Sequence, residues 1–167
     1  MNIPHTVDES ALGYSSTISV RGFMKFENFE ISTSIELQTG DTFWDLHNVY
    51  DFLGLELVPS ENTLVMRWSA PYRSKRSDIS EMKITGMALR FKNLQFLHIG
   101  GRDGDLPLNE DTCLWYVLKV DPTMENVDPY LRTHREWKSA DSFRLVFAFQ
   151  SHRMIEIESE TVELIAS

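Results

Sequence analysis

Cysteine is almost missing from this chain of 167 residues: Cys113 is the single one, so no disulfide can form within the chain. A chain without a disulfide framework is typical of a reducing compartment. The sequence also has no apolar run near the roughly 20 residues that a membrane-spanning helix needs. Its first twenty residues have neither the basic start nor the apolar stretch of a secretory signal. These absences predict a cytoplasmic protein with no membrane partner.

The residue patterns of common catalytic and metal sites are missing as well. No Gly-x-Ser-x-Gly nucleophile elbow occurs, and no Gly-Lys-Ser/Thr phosphate loop. The five histidines are scattered and do not show the paired spacing of zinc ligands. Cys113 lies in an apolar segment, where a thiol is typically buried and protonated. The sequence therefore predicts no catalytic residue, no metal site and no cofactor, and it favours a protein that is not an enzyme.

Positive charge is scarce outside one short segment, and the net charge is −9. Residues 1–66 carry two basic and ten acidic side chains, residues 67–92 carry seven and two, and residues 93–167 carry seven and thirteen. A nucleic-acid-binding protein needs a field that attracts phosphate, which this distribution does not provide. The charge therefore argues against nucleic acid as a partner and favours a basic protein. An acid excess that only keeps the protein soluble is the alternative.

What the sequence does contain is the alternation of apolar and polar residues at every second position, the pattern of a half-buried β-strand. It is clearest in Phe29–Leu37, which together with Ile18–Phe26 predicts a hairpin. Leu55–Val58 and Leu64–Trp68 flank a Pro-Ser-Glu-Asn turn and predict a second hairpin. The other predicted strands are Met82–Phe91 and Leu94–Ile99, as a third hairpin or one long bent strand; Cys113–Val120, as a central strand; and a C-terminal meander of Phe143–Gln150, Met154–Glu158 and Thr161–Ile165.

Two segments also fit short helices. From Asp41 to Gly54 the apolar residues have helical spacing, although a strand from Val49 into Leu57 fits almost as well. Asp128-Pro129 favours the start of a helix that runs through Trp137. The predicted fold class is mainly β, a β-sandwich or an open barrel of antiparallel strands with one or two short helices. We expect a single domain over residues 1–167, with residues 1–15 disordered or extended and residues 69–80 as an exposed connection.

One loop and a nearby aromatic residue are the most site-like features of the sequence. The segment from His98 to Asp105 contains three glycines and two carboxylates, Asp103 and Asp105, but it lacks the further oxygen ligands of a calcium loop. An ordinary turn between strands is the simpler interpretation. Together with Trp115, His98 and the two carboxylates are the candidates for a ligand site at the mouth of a barrel. The alternative function is therefore a small-molecule- or metal-binding β-barrel protein, or an enzyme.

A second group of carboxylates lies near the C-terminus. Glu156 and Glu158 share one face of a predicted strand, where a pair of carboxylates is able to serve acid–base chemistry. Glu160 and Glu163 follow closely. The four together indicate a charged, solvated strand edge, which discourages aggregation between strands.

Two stretches resemble segments of small bacterial β-rich proteins of uncharacterised or immunity type: LRFKNLQFLHIGGRDGDLP at residues 89–107 and FRLVFAFQSHRMIEIESETVEL at residues 143–164. Proteins of the immunity type neutralise a partner toxin by binding it, so the resemblance implies a binding role without chemistry. The principal hypothesis is a non-enzymatic cytoplasmic protein that binds a basic protein partner, as an immunity protein binds a toxin. The candidate binding residues come from the acidic first part of the chain and are Asp41, Asp45, Asp51 and Glu56.

Overall fold

The computed structural model describes residues 23–69, 86–121 and 143–167, and this part of the chain folds into strands joined by turns. Two short 3-10 helices, Pro59–Glu61 and Leu108–Asp111, interrupt the strands. The prediction of a mainly β fold of antiparallel strands is confirmed. In chain order the strands are β1 (Lys25–Phe26), β2 (Glu30–Ile31), β3 (Glu36–Thr39), β4 (Thr42–Asp45), β5 (Asp51–Val58), β6 (Thr63–Ser69), β7 (Gly86–Ile99), β8 (Leu114–Val120), β9 (Arg144–Phe149) and β10 (Met154–Ala166).

The larger sheet has the strand order β5-β6-β7-β10-β9-β8. Strand β10 pairs with β9 along its first half, and its second half pairs in parallel with β1. The sheet curls, as one hydrogen bond between its ends indicates: the backbone N–H of Phe52 on β5 donates to the backbone oxygen of Thr112, just before β8, over 2.8 Å. The two ends of the sheet therefore meet at one point, as in an open barrel.

The smaller sheet has the order β2-β3-β4 and packs on the same core. Its inward side chains, Leu37 and Trp44, join a buried cluster that includes Leu114 of the larger sheet. The backbone N–H of Val117 on β8 donates to the backbone oxygen of Ser34 over 2.6 Å, which ties the two sheets together. Aromatic contacts fill the core, as in the pairs Phe52–Phe149 and Trp68–Phe147.

The structure confirms the hairpin of β5 and β6 and decides between two alternatives for β7. Asn62 closes the β5–β6 turn at a φ of 50°, and β5 and β6 pair in antiparallel register. Strand β7 is one long strand, not a hairpin, with Asn93 at a φ of 54° near its middle. The register with β10 shifts beside it, between Glu158 and Ser159. The bulge lets β10 continue through what the sequence predicted as two separate short strands.

The first predicted hairpin is wrong in the described part of the chain. Phe26 pairs with Val162 of β10, not with the strand that follows it. The alternating run from Phe29 to Leu37 also does not form one strand, because it turns between β2 and β3. The backbone N–H of Ser32 and its hydroxyl both donate to the backbone oxygen of Glu36. Serine and threonine side chains compete for backbone groups in this way and so favour a turn over a strand.

The prediction of a central strand at Cys113–Val120 is also wrong, because β8 is an edge strand. Its apolar residues on the second face, Trp115 and Leu118, are exposed at 51% and 37%. For residues 41–54 the strand interpretation is correct: β4 and β5 flank a turn, and Asp45 caps that turn by accepting from the side chain and backbone of Asn48.

Several predictions fall outside the described residues, among them the disordered or extended residues 1–15, most of the connection 69–80 and the helix 128–137. Among the helices that the structure does describe, none has the length and apolar character needed to cross a membrane.

Candidate functional site

The outward surface of the smaller sheet follows from strand alternation. Leu37 and Trp44 are cross-strand partners that point into the core, so their neighbours along β3 and β4 point outward. On β2, Glu30 is the direct partner of Gln38 and shares its face. Phe43, the partner of Gln38 on β4, is half exposed beside these polar residues. We call this surface the acidic face; it consists of Glu30, Glu36, Gln38, Phe43 and Asp45.

Two carboxylates lie opposite each other on the acidic face. Glu36 and Asp45 are direct partners in the β3–β4 register, a position in which side chains of like charge repel. Asp45 accepts backbone hydrogen bonds from His47 (3.0 Å) and Asn48 (2.8 Å). These bonds fix the carboxylate but add no positive charge. No lysine or arginine occurs in residues 26–66, so the strands of this sheet do not neutralise the pair themselves.

The four acidic residues predicted from the sequence do not gather at one place. Asp41 lies exposed in the β3–β4 turn, and Asp45 belongs to the acidic face. Asp51 begins β5, and Glu56 lies five residues further along that strand, a distance of roughly 17 Å. Glu56 forms an ion pair with Arg67 at 3.0 Å. Only Asp45 is thus part of the acidic face.

Cys113 lies beside two of these carboxylates. Burial raises the pKa of its thiol, and the charges of Glu110, Asp51 and Asp45 raise it further. The thiol lies 3.7 Å from the backbone oxygen of His47. Because the thiolate is the nucleophilic form, a raised pKa favours the protonated thiol near neutral pH. Cys113 is partly exposed, whereas the sequence predicted a buried thiol.

A second concave site lies between the loop after β7 and the β9–β10 turn. This cleft has a volume of about 430 Å³. Asp103 and Trp115 line it, together with Tyr116, His152 and Met154. The rings of Trp115 and His152 are nearly parallel, at 29°, with centroids 6.3 Å apart. The volume falls in the range of sites that hold small molecules or single side chains.

Backbone hydrogen bonds hold one wall of the cleft in place. The N–H of Gly100 donates to the backbone oxygen of Met154, and the N–H of Asp103 donates to that of Ser151, each over 2.8 Å. The N–H of Ser151 in turn donates to Glu110. The glycine-rich segment is therefore not a simple turn between strands, because it is attached to the β9–β10 turn at several points.

Asp111 connects the loop after β7 to the β9–β10 turn by binding one arginine of each, Arg102 and Arg153. Its Oδ1 lies 3.0 Å from Nε of Arg102, and its Oδ2 lies 3.2 Å from Nη2 of Arg153. Burial raises the pKa of Asp111, but the hydrogen bond from Arg102 and the charges of both arginines oppose burial, and the pKa lies below its usual value. Arg102 also donates to two backbone oxygens of its own loop. The guanidinium of Arg102 therefore has its partners in Asp111 and in the backbone of its own loop.

The structure brings together two of the four residues predicted for the alternative ligand site. Asp103 and Trp115 both line the cleft. Asp105 does not line it, but its backbone N–H donates to Oδ1 of Asp103 over 2.9 Å. His98 lies on β7 as the partner of Glu156 and is not among the lining residues. His152, which the sequence analysis did not select, is the cleft residue that contacts both Asp103 and Trp115.

A buried charge cluster corrects the interpretation of Glu156 and Glu158 as a solvated edge. Both are buried, at 5% and 6% exposure, on β10 in the middle of the larger sheet. Arg144 lies 3.5 Å from each carboxylate and is 2% exposed. Its guanidinium carbon lies 3.6 Å above the ring of Phe96. The sequence offered a signal: a tight turn around Ser151 would place Arg144 opposite Glu158 in the hairpin of β9 and β10.

No group of three or more His, Cys, Asp or Glu side chains in the described ranges is arranged to hold a metal ion. No family model, no curated protein and no solved structure matches the chain. The candidate sites in the described residues are the acidic face and the cleft.

Proposed function

We propose that this is a non-enzymatic protein of the cytoplasm that binds a basic protein partner, in the manner of an immunity protein that neutralises a toxin. The observation that carries the proposal is the acidic face, where the like-charged Glu36 and Asp45 are direct partners on neighbouring strands. A cationic side chain placed between these carboxylates would remove the repulsion. The sequence resemblance to immunity-type proteins supports the same kind of role.

The distribution of charge over the described residues supports attraction of a basic partner. They contain 17 acidic and eight lysine or arginine side chains. Six of these eight cations form ion pairs with carboxylates of the same chain: Arg67, Arg90, Lys92, Arg102, Arg144 and Arg153. The surplus of negative charge creates a field that speeds the approach of a basic protein.

Apolar contact is available beside the charges. Phe43 is half exposed on the acidic face, and aromatic residues surrounded by polar ones are frequent centres of protein interfaces. The acidic face thus combines charge for recognition with one exposed aromatic ring for apolar contact.

Charge reversal on the acidic face tests the proposal. The tagged protein would be purified from its host at low and high salt, and the co-purified basic protein would then be used in binding kinetics. We expect Glu30→Lys/Glu36→Lys to slow association at low salt and to weaken affinity by about tenfold or more. The wild-type association rate should fall steeply as salt rises.

The matched control is Glu56→Lys/Glu61→Lys, which changes the net charge by the same amount on β5 and the turn after it. It should alter affinity much less than the double change on the acidic face. Equal effects of the two variants would show that only net charge matters. An association rate unchanged in both variants would refute the proposal.

A small-molecule-binding β-barrel protein, or an enzyme, is the second candidate, and the cleft beside Trp115 favours it. A compound bound to the folded state alone must raise the melting temperature. A thermal-shift screen of metabolites and metals in which no compound stabilises the protein would count against this function.

A further inference from the structure

The cleft beside β8 combines an exposed aromatic face with a carboxylate. Trp115 supplies the aromatic face and Asp103 the carboxylate, and His152 contacts both. We propose that this cleft binds the guanidinium group of an arginine side chain presented by the basic protein partner. The inference rests on the proposed function for the identity of the partner, but it concerns a site separate from the acidic face.

Trp115 provides a surface suited to a planar cation. Its side chain is 51% exposed even though the residue belongs to a strand of the larger sheet. The ring of Tyr116 is tilted at 49° to the indole, with centroids 5.6 Å apart, and the ring of His152 is stacked with the indole at 6.3 Å, so the other indole face is the one available to a ligand. An indole face attracts cations, and arginine is the more frequent partner because its flat group also stacks on the ring.

Asp103 has unused capacity to accept hydrogen bonds. Its Oδ1 accepts the backbone N–H of Asp105, and its Oδ2 lies 3.6 Å from Nδ1 of His152, beyond hydrogen-bond distance. A carboxylate has about four acceptor positions. The parallel N–H groups of a guanidinium match a carboxylate in pairs, so a single arginine is able to satisfy Asp103 and cover Trp115.

The positive charge already present near the cleft does not occupy this position. Arg102 lines the cleft, but its Nε and Nη2 bond to Asp111 and to backbone oxygens of the loop. Arg153 is likewise held by Asp111. These bonds, and those from the backbone of Asp103, fix the cleft wall before a ligand arrives, which lowers the entropic cost of binding.

The same molecule already binds one guanidinium in this way. Arg144 stacks on Phe96 at 3.6 Å and lies 3.5 Å from the carboxylates of Glu156 and Glu158. The cleft presents the same two components, a ring face and a carboxylate, at the surface. An incoming arginine would therefore repeat an arrangement that this fold stabilises internally.

Titration with capped amino acids tests the inference without the partner. The ligands are N-acetyl-L-arginine amide, its neutral counterpart N-acetyl-L-citrulline amide, and N-acetyl-L-lysine amide. Binding is followed by the NMR shift of the Trp115 indole N–H, assigned by its loss in Trp115→Phe. We expect the arginine compound to bind about tenfold tighter than the citrulline compound, because citrulline has no positive charge. It should also bind tighter than the lysine compound, because the ammonium group of lysine is not planar. Equal binding of arginine and citrulline overturns the inference.

Variants separate the cleft from other acidic sites. Asp103→Asn keeps an acceptor for the N–H of Asp105 but removes the charge, and Trp115→Leu removes the ring. Binding to the variants is measured by isothermal titration calorimetry, because Trp115→Leu has no Trp115 indole signal. Each should reduce binding of the arginine compound by about tenfold, whereas Asp105→Asn, which changes charge equally outside the cleft lining, should not. Binding that survives both cleft variants overturns the inference.

The source of the arginine is tested separately. Free L-arginine that binds about tenfold tighter than the capped amide would show a metabolite site and would overturn the assignment to a protein side chain. Partner binding that depends on Glu30 and Glu36 but not on Trp115 would leave the proposed function intact and overturn only the role of the cleft. Partner binding that depends on neither the acidic face nor the cleft refutes the proposed function.

Discussion

Arg144 has surroundings that are unusual for an arginine. It is 2% exposed and compensates Glu156 and Glu158, which are also buried. Water does not solvate these carboxylates, so the guanidinium provides their opposite charge. Arg144 therefore stabilises two buried carboxylates, whereas ion pairs of arginines at a surface contribute little to stability.

We expect Arg144→Met to lower the free energy of unfolding by about 3 kcal/mol or more, because it leaves two buried carboxylates uncompensated. Urea denaturation at pH 7 measures the change. A triple variant with methionine at Arg144, Glu156 and Glu158 removes all three charges and should recover most of the loss. A loss below about 1 kcal/mol in the single variant would contradict the role assigned to Arg144.

At the scale of elements, the β5–β6 turn depends on one residue, Asn62, whose turn-forming character is recognisable in the sequence. Asn62 adopts left-handed backbone angles, and its side chain donates to the backbone oxygen of Leu94 over 3.2 Å. Its own backbone oxygen accepts the N–H of Leu94. The turn therefore joins β6 to the middle of β7 as well as to β5.

Asn62→Val should destabilise the protein by about 1–2 kcal/mol, since a β-branched residue is strained in the left-handed region. Asn62→Gly is the control, because glycine adopts these angles freely and loses only the side-chain hydrogen bond. Thermal unfolding followed by circular dichroism compares the two. Melting temperatures lowered equally would show that the hydrogen bond, not the backbone conformation, matters.

The elements that the sequence predicted correctly depend on local patterns, and those it missed depend on distant pairing. Proline and asparagine mark the β5–β6 turn within a few residues of each other. By contrast, the parallel pairing of Lys25 with Thr161 leaves no local signal. The cleft was half predicted for the same reason: Asp103 and Trp115 carry suggestive chemistry, but the contribution of His152 requires the loop to meet the β9–β10 turn.

At the scale of the molecule, carboxylates held by cations link stability to pH. Arg102 and Arg153 help to lower the pKa of Asp111, and a hydrogen bond from Lys92 lowers that of Glu163. Below about pH 4 the unfolded chain binds protons that these folded carboxylates resist. The stability they contribute is therefore present above their ordinary pKa values and is lost as the pH falls through the lowered ones.

We expect the free energy of unfolding to fall as the pH decreases from about 4. Asp111→Asn should be less stable than the wild type at pH 7 but should lose less on further acidification. Urea denaturation at several pH values between 7 and 3 measures both effects. Parallel pH profiles for the two proteins would contradict the assignment of acid sensitivity to Asp111.

The position of β10 also constrains how the protein is made. It is the last described strand in chain order, but it pairs with β7, β9 and β1 and so occupies the middle of the larger sheet. Synthesis at about 5–20 residues per second means that β7 leaves the ribosome on the order of several seconds before its partner exists. The strands β5, β6 and β7 are able to pair with each other before then, as are β8 and β9, but the two groups cannot be joined into one sheet. Completion of the sheet therefore waits until β10 has emerged, and until then β7 presents an open strand edge to chaperones.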